Sequence, residues 1–300
     1  MGGSLWVIFT LFGAAGQTAR NAMQRELTPR LGALGATLVR FLFGFPFALL
    51  FLAATMIATR AALPPMNLPF MGWTVLGAIS QIGGTALMLM TMEHRSFVVT
   101  VAYLKAEPIL VAIMGLAFLG DPLSVMTIVA ILVAVAGVAA ISVRPEALTG
   151  GAKPALLGLS SAGLFGLSSV SYRGAILALH MPGYLMPATF SLAAGLALQT
   201  VLVLVWLLLF RRETLGGIFK LWRPSLAAGF TGAAASEMWF LAFALATAAS
   251  VRTLGLVDVL FAQAVSHIVF KQKTTGREIA GIALLLAGAM LIVWGEPRPA

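Results

Sequence analysis

Ten apolar stretches follow one another along this chain, each long enough to cross a bilayer, with only short turn-rich connections between them. They cover residues 4–24, 31–59, 69–92, 97–119, 122–143, 155–178, 184–210, 225–246, 249–270 and 277–294. One crossing takes about 20 apolar residues of helix, so the succession predicts an all-α integral membrane protein with ten transmembrane helices. Charged residues are 10% of the 300, against about 25% in a soluble domain, and no length remains for a large soluble domain. The first stretch lacks a basic leader and a clear cleavage site, so it is read as a retained helix. Cysteine is absent, which excludes disulfides and thiol–metal sites.

The net charge of +9 comes from basic residues scattered between the spans, a pattern of loop orientation rather than of nucleic-acid binding. Loops after the odd-numbered stretches hold twelve Lys and Arg; the other loops and both termini hold only Arg60 and Arg298. The positive-inside rule then puts the odd loops in the cytoplasm and both termini in the periplasm of a multi-pass inner-membrane protein.

An internal repeat is legible. Leu11-Phe12-Gly13 through Arg20 and Ala22 aligns with Leu164-Phe165-Gly166 through Arg173 and Ala175 at an offset of 153, and Ile131 to Gly137 resembles Ile282 to Gly288 at an offset of 151. The Gly/Pro-rich stretch 145–154 lies between them as a linker. The expected organisation is a first five-helix repeat over 1–144 and a second over 155–300. An odd number of crossings per half forces the halves to insert with opposite topology, which places a central cavity between inverted repeats near the midplane.

Charges at bilayer depth are costly and usually functional. Glu107, Glu237 and Asp258 lie near the middle of apolar stretches. On a regular helix at about 100° per residue, Tyr103 and Glu107 share a face, whereas Lys105 points about 160° away from Glu107. Pro108 can kink this segment by removing an N–H. Asp258 falls near the repeat position of Lys105, and a Lys105–Asp258 structural ion pair across the pseudo-two-fold axis is expected. Arg252, Val259, Gln263, Ser266 and His267 form one polar stripe, with Asp258 on a different face. Further stripes are Thr10, Ala14, Gln17 and Asn21; Thr74, Gly77, Gln81, Thr85 and Met88; and Ser161, Phe165, Ser168 and Tyr172. Each stripe alone can be interhelical hydrogen bonding. Together they favour a wet cavity, because unpartnered buried polar groups are costly. Arg20 and Arg173 recur near segment ends and read as snorkelling side chains; Arg40 is deep enough to pair with an acid.

Gln81, Tyr103, Glu107, Glu237, Trp239, Arg252 and Gln263 are the candidate substrate-lining residues. An amino acid presents a carboxylate, an ammonium and a side chain. Arg252 and Gln81, Glu237 and Glu107, and Trp239 or Tyr103 would answer these in turn. A carboxyl withdrawn from water can titrate near neutrality, so proton coupling through Glu237 is open, with facilitated diffusion as its rival. No phosphate-binding Gly-x-x-x-x-Gly-Lys loop, His-Glu-x-x-His zinc pair, Asp-rich diphosphate–magnesium motif or Gly-x-Ser-x-Gly elbow occurs. No cofactor, no metal and no enzymatic activity are expected. An intramembrane enzyme acting on lipid-linked substrates would need a catalytic pair or metal site of recognisable spacing. A channel would lack the saturation and counterflow of a carrier.

The junction Tyr103-Leu104-Lys105-Ala106-Glu107-Pro108 through Phe118-Leu119-Gly120-Asp121-Pro122-Leu123-Ser124 resembles the proline-bearing fourth helix and acidic turn of the EamA-type drug/metabolite transporter superfamily, with Asp121 in place of the usual Glu. The second half departs from this pattern, with Ala262 near the proline position and Lys271–Lys273 near the acidic turn. Within the superfamily the chain is similar to bacterial amino acid exporters, including the aromatic group. The resemblance implies a ten-helix bundle with a central cavity that transports small metabolites or amino acids; alternating access by a monomer is the expected mechanism. Family members are often drawn with cytoplasmic termini; the loop count here gives the opposite orientation.

Overall fold

The computed structural model describes residues 4–94, 97–142, 152–261, 264 and 275–295, and every regular element among them is helical. In chain order these are α1 (Leu5–Leu42), α2 (Phe45–Thr59), α3 (Leu68–His94), α4 (Phe97–Leu104), α5 (Glu107–Leu119), α6 (Val125–Ser142), α7 (Ala152–Ala178), α8 (Leu185–Phe210), α9 (Arg212–Lys220), α10 (Trp222–Leu245), α11 (Ala248–Gly255) and α12 (Gly276–Gly295). Among the described residues seven stretches are long and apolar enough to cross a membrane, and Val125–Ile141 is a shorter apolar helix. The first expected stretch falls outside that set because Gln17, Arg20 and Asn21 dilute it. The ninth runs into residues 262–263 and 265–270, outside the described part.

Exposure is arranged for lipid. Ile57, Leu68 and Val125 are 78–82% exposed, and such side chains would be misplaced in water. The interior is instead built from small residues, among them Ala14, Ala78, Ala130, Ala162 and Ala228, which let helices approach closely. A Cβ placed on Gly137 of α6 would lie 2.5 Å from the Leu285 backbone nitrogen of α12, and one on Gly288 would lie 2.6 Å from the nitrogen of Ala134. Several buried hydroxyls are satisfied within their own helices. Thr10 donates to Trp6 O at 2.7 Å, Thr85 to Gln81 O at 2.8 Å and Thr253 to Ala249 O at 2.7 Å.

The packing exchanges elements between the two halves of the sequence. α1 packs on α10 and α3 packs on α7, while α6 packs on α12 and α2 on α8. The first helix of each half is thus seated on the third segment of the other.

Two helices are interrupted, the first beside Pro108, where the sequence allows a kink, and the second at a point that no proline marks. Between α4 and α5 the chain turns at Lys105 and Ala106. Pro108, in the first turn of α5, has no N–H to return to Leu104. In the second half, the chain turns at Leu256 and Val257 directly after α11. These breaks overturn the angular argument above: once the helix stops at Lys105, the 160° separation from Glu107 no longer applies. α1 is likewise bent at Gly32, whose φ of 68° suits a residue without a Cβ.

Candidate functional site

The two interruptions open onto one cavity of about 530 Å³, a size suited to a small metabolite. α1 contributes Gln17, Arg20, Asn21, Gln24, Thr37 and Arg40 to its wall; α3 contributes Gln81, Thr85, Met88 and Met92. The first break supplies Lys105, Glu107 and Pro108, and the second supplies Gly255, Leu256 and Asp258. Phe165, Trp239 and Arg252 close the remaining sides.

Lys105 Nζ donates to Asp258 Oδ1 at 2.7 Å and to Oδ2 at 2.8 Å, joining the two breaks. Arg252 Nε lies 2.9 Å from Glu107 Oε1 and donates to Ser169 Oγ at 2.8 Å. Ser169 in turn donates to the same Glu107 oxygen at 3.3 Å. The Arg252 guanidinium sits 4.8 Å over the Trp239 ring, in cation–π range. Trp239 is itself wedged between Gly13 of α1 and Gly255 of α11. Gln199, which the sequence did not single out, donates to Gln81 Oε1 at 2.5 Å and to Tyr172 Oη at 2.9 Å. It fixes the Gln81 carbonyl and leaves the Gln81 amide group to serve as a donor.

Arg252 is therefore neutralised by Glu107, which removes it as a free clamp for a carboxylate. Arg20 was expected to snorkel, yet it is only 6% exposed and faces the cavity, where its guanidinium donates to Asn21 Oδ1 at 2.9 Å. Arg40 lies deep enough in the sequence's second apolar stretch to pair with an acid. Among the described residues it has none: its guanidinium lies 5.3 Å from the Phe41 ring centre, and its Nε is buried without a hydrogen bond. Arg173 does not snorkel either. It holds Asp121 through Nε at 3.2 Å and donates from Nη1 to the carbonyls of Phe243 at 2.6 Å and Ala246 at 2.5 Å, clasping the α5–α6 turn to the end of α10.

Three lining candidates are placed elsewhere or lie outside the described residues. Tyr103 packs against Gly158 of α7 and is not part of the cavity wall. Its register with Glu107 is lost at the helix break. Glu237 is buried between α10 and α8, where Oε1 accepts the Thr189 hydroxyl at 2.5 Å and Oε2 has no hydrogen-bond partner. It too is off the wall. Gln263, with Ser266 and His267, lies outside the described residues. The Ser161 and Ser168 stripe is interhelical glue, with hydroxyls donating to Gly84 O at 2.7 Å and Gly77 O at 3.0 Å on α3. Among the described residues no His, Cys, Asp and Glu cluster is arranged to hold a metal.

A solved crystal structure superposes on 96% of this chain and 96% of its own with a TM-score of 0.69 at 15% identity, which establishes a shared fold. No curated protein matches the sequence. Residues 3–143 match the EamA-like transporter family. By that match, carried by a multi-helix membrane fold, the first half of the chain is similar to the EamA-like transporters of the drug/metabolite superfamily.

Proposed function

We propose that this transporter exports amino acids or related small metabolites across the bacterial inner membrane, as a monomeric secondary carrier. The observation that carries this reading is the cavity at the meeting of two interrupted helices, lined by paired charges and amides and walled by Trp239, Phe165, Met88 and Met92. Interrupted helices near a midplane site are the working parts of many secondary transporters. The second break follows the first by 151 residues, from 105 to 256, which supports two oppositely inserted halves of five crossings each. The cytoplasmic loops are those rich in Lys and Arg.

In this reading Gln81, Glu107, Trp239 and Arg252 contact the cargo. The two ion pairs at the breaks close or part as the halves rock around it, so the cavity opens to one side at a time. Counterflow in proteoliposomes tests it: internal unlabelled amino acid should accelerate and saturate entry of labelled amino acid. Absence of flux for every amino acid would overturn the substrate class, and flux that never saturates would overturn the carrier mechanism.

A further inference from the structure

The cavity wall holds four cationic side chains, Arg20, Arg40, Lys105 and Arg252, against two acids, Glu107 and Asp258. The acids are both committed, Glu107 to Arg252 and Asp258 to Lys105. Arg20 and Arg40 are left without an acid among the described residues. They are neighbours: a Cβ built on Gly232 of α10 would stand 3.3 Å from Arg20 Cδ and 3.5 Å from Arg40 Cγ. Gly232 is thus the recess along which both stems run. Guanidinium groups keep their charge in proteins and grip carboxylate and phosphate oxygens through a planar fork of donors.

The internal repeat read from the sequence accounts for the missing acid. Arg20 and Arg173 occupy matched positions, 153 residues apart. Arg173 is spent on Asp121 and two carbonyls. The position matching Asp121 is Thr274, within Lys271-Gln272-Lys273-Thr274-Thr275, where the sequence has no acid. Arg40 falls opposite Ala193, so the second half has no counterpart to it. One arginine of the pair is structural, and the other, joined by Arg40, is turned to the cavity beside Gln17, Asn21 and Thr37.

We infer that the cargo is a small metabolite of net negative charge whose carboxylate or phosphate bridges Arg20 and Arg40. The inference rests on the transporter reading for its setting and names the substrate class within it. A neutral zwitterion would leave the wall's positive excess uncompensated, whereas an anion removes the repulsion between two like charges held side by side. Gln17 and Asn21 flank the anionic group, and the methionines of α3 face the remainder of the molecule.

The test is equilibrium binding to the full-length protein in detergent, followed by flux in liposomes. The probes are L-glutamate, succinate and glycerol phosphate, with L-leucine as the neutral comparison. At least one anion is expected to bind, more weakly as salt rises, and its identity separates a carboxylate cargo from a phosphate one. Arg40→Gln should weaken that binding by about tenfold or more, and Arg40→Lys, which keeps the charge but not the fork, should lose less. Gly232→Ala keeps both charges and shifts both stems, so it should weaken the same anion if the folded fraction of Arg40→Gln proves too low to assay. Binding of none of the three anions at millimolar concentration would overturn the inference, as would leucine binding that Arg40→Gln leaves intact. Anion binding without flux would overturn the transporter reading and leave the anion site standing; leucine flux without anion binding would do the reverse.

Discussion

Lys105 Nζ and the Asp258 carboxylate meet at 2.7 and 2.8 Å across the interruptions of two helices, one from each half of the sequence. Their side chains are 13% and 17% exposed, so the pair is largely withdrawn from solvent. Removing one partner of such a pair costs about 3–5 kcal/mol, because a charge is left uncompensated. Lys105→Ala and Asp258→Ala should therefore each lower the yield of monodisperse protein and its melting temperature in detergent. The reciprocal exchange, Lys105→Asp with Asp258→Lys, should recover most of the loss; an exchange no better than the single variants would show that the two charges are not coupled.

Arg173 uses three directions of its guanidinium at once, toward Asp121 and the carbonyls of Phe243 and Ala246. Lysine can carry the charge but not this planar fork. Arg173→Lys is expected to destabilise by about 1–3 kcal/mol, the cost of leaving buried acceptors unmet. Thermal unfolding followed by tryptophan fluorescence measures it, and a melting temperature equal to wild type would contradict the clasp.

At the α6–α12 crossing, the added Cβ of Gly137→Ala would fall 2.5 Å from Leu285 N and 2.7 Å from Gly281 O. Backbone must move to admit it. Overpacking of this kind costs about 1–3 kcal/mol. Gly72→Ala, where a Cβ meets nothing within 4 Å, serves as the matched control and should unfold like wild type.

Glu237 lies off the cavity wall, with its Oε1 accepting from Thr189. Glu237→Gln retains an oxygen for that hydroxyl. Transport by this variant should keep the wild-type dependence on pH, measured as initial rate between mildly acidic and mildly alkaline buffer. Loss of the pH dependence would assign a coupling proton to Glu237.

Trp239 stacks beneath Arg252 at 4.8 Å. Trp239→Leu removes a contact of about 0.5–2 kcal/mol and should raise the half-saturation concentration for transport several-fold with a smaller effect on the maximal rate. A fall in maximal rate alone would move Trp239 from cargo contact to gating.

Much of the architecture could be read from the chain because lipid imposes a coarse rule. Long apolar runs become helices, and a proline such as Pro108 marks where one is interrupted. The Lys105–Asp258 proximity was legible from the repeat offset alone. Which face each polar residue presents was not legible past a break. Tyr103 and Glu107 share a stripe only while the helix between them stays regular, and Lys105 and Ala106 end it. Arg20 misled for a related reason. Its place near the end of an apolar run suggested an escape to the interface, but α1 continues to Leu42 and encloses it against α10. Gln199 gave no signal, since the other polar residues of α8, Thr189, Ser191 and Thr200, lie about 80–100° away from it around the helix and do not line up with it.

The exchange of partners between halves has a consequence for how this protein is made. When a ribosome has delivered the segments up to α6, the surfaces of α1 and α3 that will touch α10 and α7 are already in the membrane, while their counterparts are still unsynthesised. The nascent first half must wait beside the insertion machinery with those small-residue faces turned to lipid. A stop codon or a long pause near residue 150 would thus strand a fragment with no closed interior of its own.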